Sequence, residues 1–191
     1  QTIKGKLMKP EIIDTKLDGK VTILKNCLPD DLDHNNLFTE YRDDFKFPNN
    51  QHGHLRQYEY HAGHNDERYL PLKKILNVPD EYSMKIGLHE ITGGGFIPPH
   101  ADSKYFGGLT IFLNRSWEKA WGGWAMAYDD DGFYASSPEY GHGVFYRTPL
   151  QHCTSPVYQS DQVRRSLQIF FVKDDTWDSE VDKRNFVNWD E

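Results

Sequence analysis

Between residues 82 and 172 the chain runs as short apolar segments, 83–90, 109–114, 123–128, 143–146 and 163–172, each stopped by glycine, proline or a polar cluster. Segments this short, bounded by turn residues, read as antiparallel strands. Several strands at close spacing expose their edges unless the sheet closes or a second sheet stacks on it. The expected fold is therefore mainly β with flanking helices (α+β), a sandwich or small barrel with the helices packed outside. Hydrophobic residues at 37% and 15 glycines give core material ordinary for a soluble domain and exclude disorder throughout.

The N-terminal part reads differently. Asp18-Gly19 is a dipeptide that takes the positive φ angles of a two-residue turn, and 11–17 and 20–24 are the candidate hairpin strands beside it. Pro29-Asp30-Asp31 offers capping groups ahead of Leu32, Leu37, Tyr41 and Phe45, whose spacing predicts an amphipathic helix. A second short helix is expected over 71–76, and 47–64, rich in Asn, Gly and His, as a long exposed loop between the two. The 191 residues fall in the size range of one domain. That domain would comprise a hairpin and helices up to about residue 80, a β core over 82–173, and an acidic-aromatic C-terminal arm over 174–191.

The 22 Lys and Arg against 29 Asp and Glu leave a formal charge of −7 with no basic run. That argues against nucleic-acid phosphates or an acidic lipid surface as partners. No apolar run approaches the roughly 18 residues of a membrane-spanning helix, and Gln1-Thr2-Ile3-Lys4 lacks a signal-peptide pattern. Cys27 and Cys153, without C-x-x-C spacing, suggest neither a disulfide framework nor a zinc ribbon. The expectation is a cytoplasmic protein in a reducing compartment.

Chemistry concentrates in Gly93-Gly94-Gly95-Phe96-Ile97-Pro98-Pro99-His100-Ala101-Asp102. Residues i and i+2 of an extended chain face the same side, so His100 and Asp102 can share a barrel mouth. His152, just past the segment 143–146, is the candidate third ligand, with His142 its rival. Two imidazoles and one carboxylate on one face of a metal mark a non-haem Fe(II) site with open positions. The triplet alone is weak, since His64-Asn65-Asp66 repeats it by chance in a polar stretch. His52, His54, His61 and His64 lack ligand spacing and read as a solvated loop. Along 163–171, alternation places Arg164, Ser166, Gln168 and Phe170 on one face and Arg165, Leu167, Ile169 and Phe171 on the other. Should Arg164 and Ser166 look inward, they form a fork for a carboxylate; hydrophobicity does not decide which face does.

These residues resemble the Fe(II)- and 2-oxoglutarate-dependent oxygenases, in particular the compact prolyl 4-hydroxylase-like branch. The resemblance covers about residues 84–172 and rests on ordered elements. His100-Ala101-Asp102 is similar to the first two iron ligands and His152 to the distal histidine. Leu113-Asn114, Gly122-Gly123, Pro156-Val157 and Arg164-Arg165-Ser166-Leu167 resemble the strand-end, paired-glycine, post-histidine and Arg-x-Ser-Leu elements. It implies a double-stranded β-helix (jelly roll, cupin-like). It implies iron on His100, Asp102 and His152, and 2-oxoglutarate held by Arg164, with Arg165 as runner-up, assisted by Ser166. The reaction would consume O₂ and 2-oxoglutarate, release succinate and CO₂, and hydroxylate a prolyl, peptidyl or small amino-acid-like substrate; ascorbate is a further cofactor the resemblance allows. Ferrous iron with Asp102 carries +1 and the cosubstrate dianion brings it to −1, which calls for the Arg164 cation.

Members often carry a tyrosine on the strand before the first ligand, where this chain reads Ile86-Gly87-Leu88-His89-Glu90-Ile91; His89 and Tyr82 are the candidate replacements. Trp117, Trp121 and Trp124 are candidates for a substrate cleft or for core. Asp129-Asp130-Asp131-Gly132 reads as a hairpin turn. Two rival readings remain at this level: a non-catalytic jelly-roll module that binds sugar or peptide, and a cupin-like metal protein without oxygenase activity.

Overall fold

The computed structural model describes residues 8–30, 33, 36, 38, 55–59, 66–102 and 105–173. Most of the expected helix over 32–45, His52, His54, His61 and His64, and the C-terminal arm lie outside the described residues, although Asn36 and Phe38 are helical.

Eleven strands are described: β1 (Glu11–Lys16), β2 (Val21–Lys25), β3 (Leu55–Glu59), β4 (Tyr82–Thr92), β5 (Ile97–His100), β6 (Tyr105–Phe112), β7 (Ala125–Asp129), β8 (Gly132–Ser136), β9 (Gly143–Arg147), β10 (Gln151–Thr154) and β11 (Val163–Lys173). They form a seven-stranded sheet in the order β1-β2-β9-β6-β11-β4-β3 and a four-stranded sheet in the order β5-β10-β7-β8. All of the strand pairings are antiparallel. A short helix, α1 (Leu70–Ile75), follows a 3-10 turn at Glu67–Tyr69.

Local chemistry explains the turns. Asp18 and Gly19 both take positive φ, and Lys20 N–H donates to Leu17 O at 3.0 Å, closing the β1–β2 hairpin on that dipeptide. At the β7–β8 hairpin the Asp129 carboxylate accepts from the backbone N–H groups of Asp131 (3.0 Å) and Gly132 (3.1 Å), and from Lys20 Nζ at 2.6 Å. Ahead of α1, Asp66 accepts from the backbone N–H of Arg68, and Pro71 sits in the first turn, where its missing N–H costs nothing. That Asp66 belongs to the second His-x-Asp triplet; it is engaged as a helix cap with Arg68.

The expectation of a continuous loop over 47–64 is corrected at Leu55–Glu59, which pairs with β4 as the outer strand of the larger sheet. The partner is distant in sequence, so the segment becomes a strand through β4 and not through its own composition. β5 also gave no strand signal, because Pro98 and Pro99 occupy it. It lies at the edge of its sheet, where absent N–H donors break no ladder.

The central strands of the larger sheet are buried on both faces, whereas β1 at its edge is exposed. Outward, Met84, Ile86, Leu88, Leu167, Ile169 and Phe171 pack with Tyr69, Leu72 and Leu76 around α1. Inward, Val21, Phe112, Val144 and Tyr146 meet Ala125 and Ala127 of the smaller sheet. The site lies at one end of this second layer.

Candidate metal and anion site

β10 is the seam on which the site is built. His152 pairs directly with His100 of β5 on one side and with Ala127 of β7 on the other. Residues directly opposite in an antiparallel pair point to one face, so register alone sets the two imidazoles side by side, with ring centroids 4.3 Å apart. Asp102 follows β5 by two residues. Its carboxylate lies 3.5 Å from His152 Nε2 and 4.0 Å from His100 Nε2.

Each imidazole is fixed in the same way. His100 Nδ1 is 2.9 Å from Pro98 O, and His152 Nδ1 is 2.9 Å from Leu150 O. A carbonyl can only accept, so each Nδ1 donates to it, and each Nε2 is the nitrogen turned toward Asp102. Among the described residues, this is the group of His, Cys, Asp and Glu with metal-binding spacing, one donor atom from each lying within 4.8 Å of the others. Metal–nitrogen and metal–oxygen bonds run to about 2.0–2.2 Å each, so one ion can bridge donors at such spacing. His142 stands apart, 3.4 Å from Glu139.

Arg164 resolves the choice of face on β11. Its side chain is inside, 2% exposed, whereas Arg165 points outward to Glu90 at 2.9 Å and lies over the Phe38 ring. The reason is the neighbouring elements. Asn114 accepts from Arg165 N–H at 2.7 Å and donates to Val163 O at 2.8 Å, clamping the backbone on both sides of Arg164. The guanidinium lies 5.2 Å over the Phe112 ring, donates from Nε to Gly123 O at 2.7 Å, and donates from Nη1 to Ser166 Oγ at 3.2 Å. Gly123 has φ +66°, and a Cβ there would come within 2.9 Å of Arg164 Cδ. A glycine is therefore what lets that carbonyl reach the guanidinium.

A row of buried polar groups extends from this arginine. Gln168 Nε2 donates to Ser166 Oγ at 3.0 Å, and Thr110 Oγ1 donates to Gln168 Oε1 at 2.8 Å. Ser166 Oγ thus accepts from both Arg164 and Gln168, and its own proton remains to be donated. Burial lowers the Arg164 pKa to about 10, which leaves it charged at neutral pH. It has no acidic partner among the described residues. A buried guanidinium without a counter-charge is costly, and an anion would relieve that cost.

Several other candidates are placed. His89 faces inward, opposite Ser166, while Tyr82 packs against Phe106 on the outer face, 5.3 Å between ring centroids, and does not enter the site. Trp117 is half-buried beside Ile91 and Val157, donates to Gly122 O at 3.0 Å, and meets Trp121 edge-on at 5.4 Å. Trp124 Nε1 donates to Lys119 O at 2.9 Å. Cys27 and Cys153 are both free and buried, and burial pushes the Cys27 thiol up to about 12. Tyr146, Gln168 and Thr110 gave no functional signal, being ordinary strand residues until register lays them on the inner face.

At the level of sequence, no family model and no curated protein matches the chain. Solved structures do. A prolyl-4-hydroxylase of Pseudomonas putida superposes with a TM-score of 0.63 at 18% identity, over 81% of this chain and 92% of that one. The fold is the one these oxygenases use. A Trichoplax adhaerens prolyl hydroxylase, solved with a hypoxia inducible factor peptide fragment, gives 0.62 at 14% identity over 82% of this chain and 84% of that one. A 2OG-Fe(II) oxygenase family member from Burkholderia pseudomallei gives 0.58 at 14% identity over 81% and 84%. The two antiparallel sheets are accordingly those of a double-stranded β-helix, or jelly roll. No helix among the described residues is long and apolar enough to cross a membrane.

Proposed function

We propose that the chain is an Fe(II)- and 2-oxoglutarate-dependent dioxygenase that hydroxylates a C–H bond of a prolyl, peptidyl or small amino-acid-like substrate and releases succinate and CO₂. The observation that carries it is the pairing of two features inside one jelly roll. His100, Asp102 and His152 converge as candidate metal donors, and a buried Arg164, without an acidic partner among the described residues, faces the same interior.

The donor set fits ferrous iron. Two neutral imidazoles and one carboxylate suit Fe(II) and leave coordination positions for exogenous ligands. Bound there, the iron would supply the oxidative chemistry, with O₂ as oxidant and 2-oxoglutarate as its co-reductant. The protein's own part is binding and orientation. His100 and His152 would present Nε2, held in that tautomer by Pro98 and Leu150. Arg164 would take the far carboxylate of 2-oxoglutarate, and Ser166 would add its remaining proton as a donor to that anion. Gly123 and Asn114 would keep the guanidinium aimed. A prolyl substrate is preferred because two of the similar folds belong to prolyl hydroxylases, one of them solved with a peptide.

The test is anaerobic addition of Fe(II) and then 2-oxoglutarate, followed by succinate release on admitting air. A visible charge-transfer band and succinate are expected, both lost with a chelator and in Asp102→Ala. Asp102→Ala turnover equal to wild type sinks the ligand assignment. A panel of proline peptides and amino acids, scored for stimulated succinate release, then identifies the substrate.

A further inference from the structure

Tyr146 occupies the middle of the inner layer. It lies on β9 opposite Gly108 of β6, and its ring packs face to face on the imidazole of His152, centroids 4.8 Å apart and planes 24° apart. The residue is 5% exposed, and its hydroxyl is buried with no hydrogen-bond partner among the described residues. Around it are Val21, Phe112, Ala125, Ala127, Val144 and Leu150, none of which offers a side-chain acceptor or donor, and the partly buried Tyr134, whose hydroxyl makes no hydrogen bond with it. Phenylalanine would fill the same space, so packing does not require this oxygen; unpaired and buried, it is a standing penalty. A phenol hydroxyl can donate one hydrogen bond. The Arg164 guanidinium reaches in from β11 over the ring of Phe112, which belongs to the same cluster as Tyr146.

We propose that the Tyr146 hydroxyl is a cosubstrate contact, donating a hydrogen bond to the 2-oxo dicarboxylate that lies between His152 and Arg164. It rests on the function proposed above and deepens it. The cosubstrate pocket then has donors from both strands that flank β6, Arg164 and Ser166 from β11 and Tyr146 from β9. Gly108, between Tyr146 and Phe170 in register, has no side chain of its own, and the Phe170 ring lies 3.4 Å from where its Cβ would be.

The test is Tyr146→Phe in the full chain, loaded anaerobically with Fe(II) or Mn(II) and titrated with 2-oxoglutarate by calorimetry. The melting temperature is recorded with and without ligand. Weakening of 2-oxoglutarate binding by on the order of tenfold is expected, the effect of one hydrogen bond to an anion. Metal affinity should stay unchanged, the unliganded variant should melt at or above the wild-type temperature, and its ligand-induced rise should shrink. Equal 2-oxoglutarate affinity in variant and wild type overturns the proposal. So does a lower melting temperature of the unliganded variant, which would reveal a protein partner for the hydroxyl. Wild-type chain that binds metal but no 2-oxoglutarate removes the cosubstrate reading itself, and the Tyr146 contact with it.

Discussion

The two faces of β11 come from one run of residues and behave as two materials. Outward, Leu167, Ile169 and Phe171 are fully buried against the α1 layer, where each apolar side chain contributes about 1.5–3 kcal/mol. Inward, Arg164, Ser166 and Gln168 are also buried yet polar, joined in one hydrogen-bonded row that includes a cation without an acidic partner among the described residues. The outer face therefore supplies stability, and the inner face carries the polar groups on which the proposed binding of 2-oxoglutarate rests. Alternation with a period of two separates stability from binding within a single strand.

The sharpest way to break this comparison is Arg164→Ala. Removing one partner of a buried charged contact costs about 2–5 kcal/mol of binding, so 2-oxoglutarate affinity should fall by on the order of a hundredfold or more. The urea midpoint of the unliganded protein should hardly move, because a poorly compensated buried charge leaves with the side chain. Undiminished affinity by calorimetry would remove Arg164 from the site. Ile169→Ala should do the opposite. A cavity in the outer core costs about 2–5 kcal/mol of stability, read as a lower urea midpoint, while the affinity of the still-folded protein for 2-oxoglutarate stays within twofold by the same titration, on the order of measurement error. Arg165→Ala, one residue from Arg164 but facing out, should be the mildest. Its ion pair with Glu90 is partly exposed and worth at most about 1 kcal/mol. Stability should fall slightly, less so at high salt, with binding unaffected; a large binding loss there would mean that the two arginines exchange roles.

Much of the site was legible because its chemistry is local. His100 and Asp102 share a face by the i, i+2 rule, and the Arg-x-Ser pair is likewise two residues apart. The strands from Ser83 onward announced themselves by short apolar runs between turn residues. What escaped notice depends on partners remote in sequence. Leu55–Glu59 is a strand because β4 lies beside it, and β5 is one despite Pro98 and Pro99 because it sits at an edge. Gly123 read as one of the paired glycines that open a strand, and the structure shows the carbonyl it presents to Arg164. Asn114 looked like the end of a strand and turned out to clamp the start of another.

The amino-acid order by itself determined the alternation of β11, the hairpin at Asp18-Gly19 and the pairing of His100 with Asp102 on one side of the chain, since each follows from backbone geometry over a few residues. Only the tertiary structure decided which face of β11 looks inward, that His152 and not His142 joins the triad, and that Tyr146 ends beside it with its hydroxyl unpaired. Those outcomes depend on register between distant strands and on what covers each face, and no local stretch of sequence encodes them.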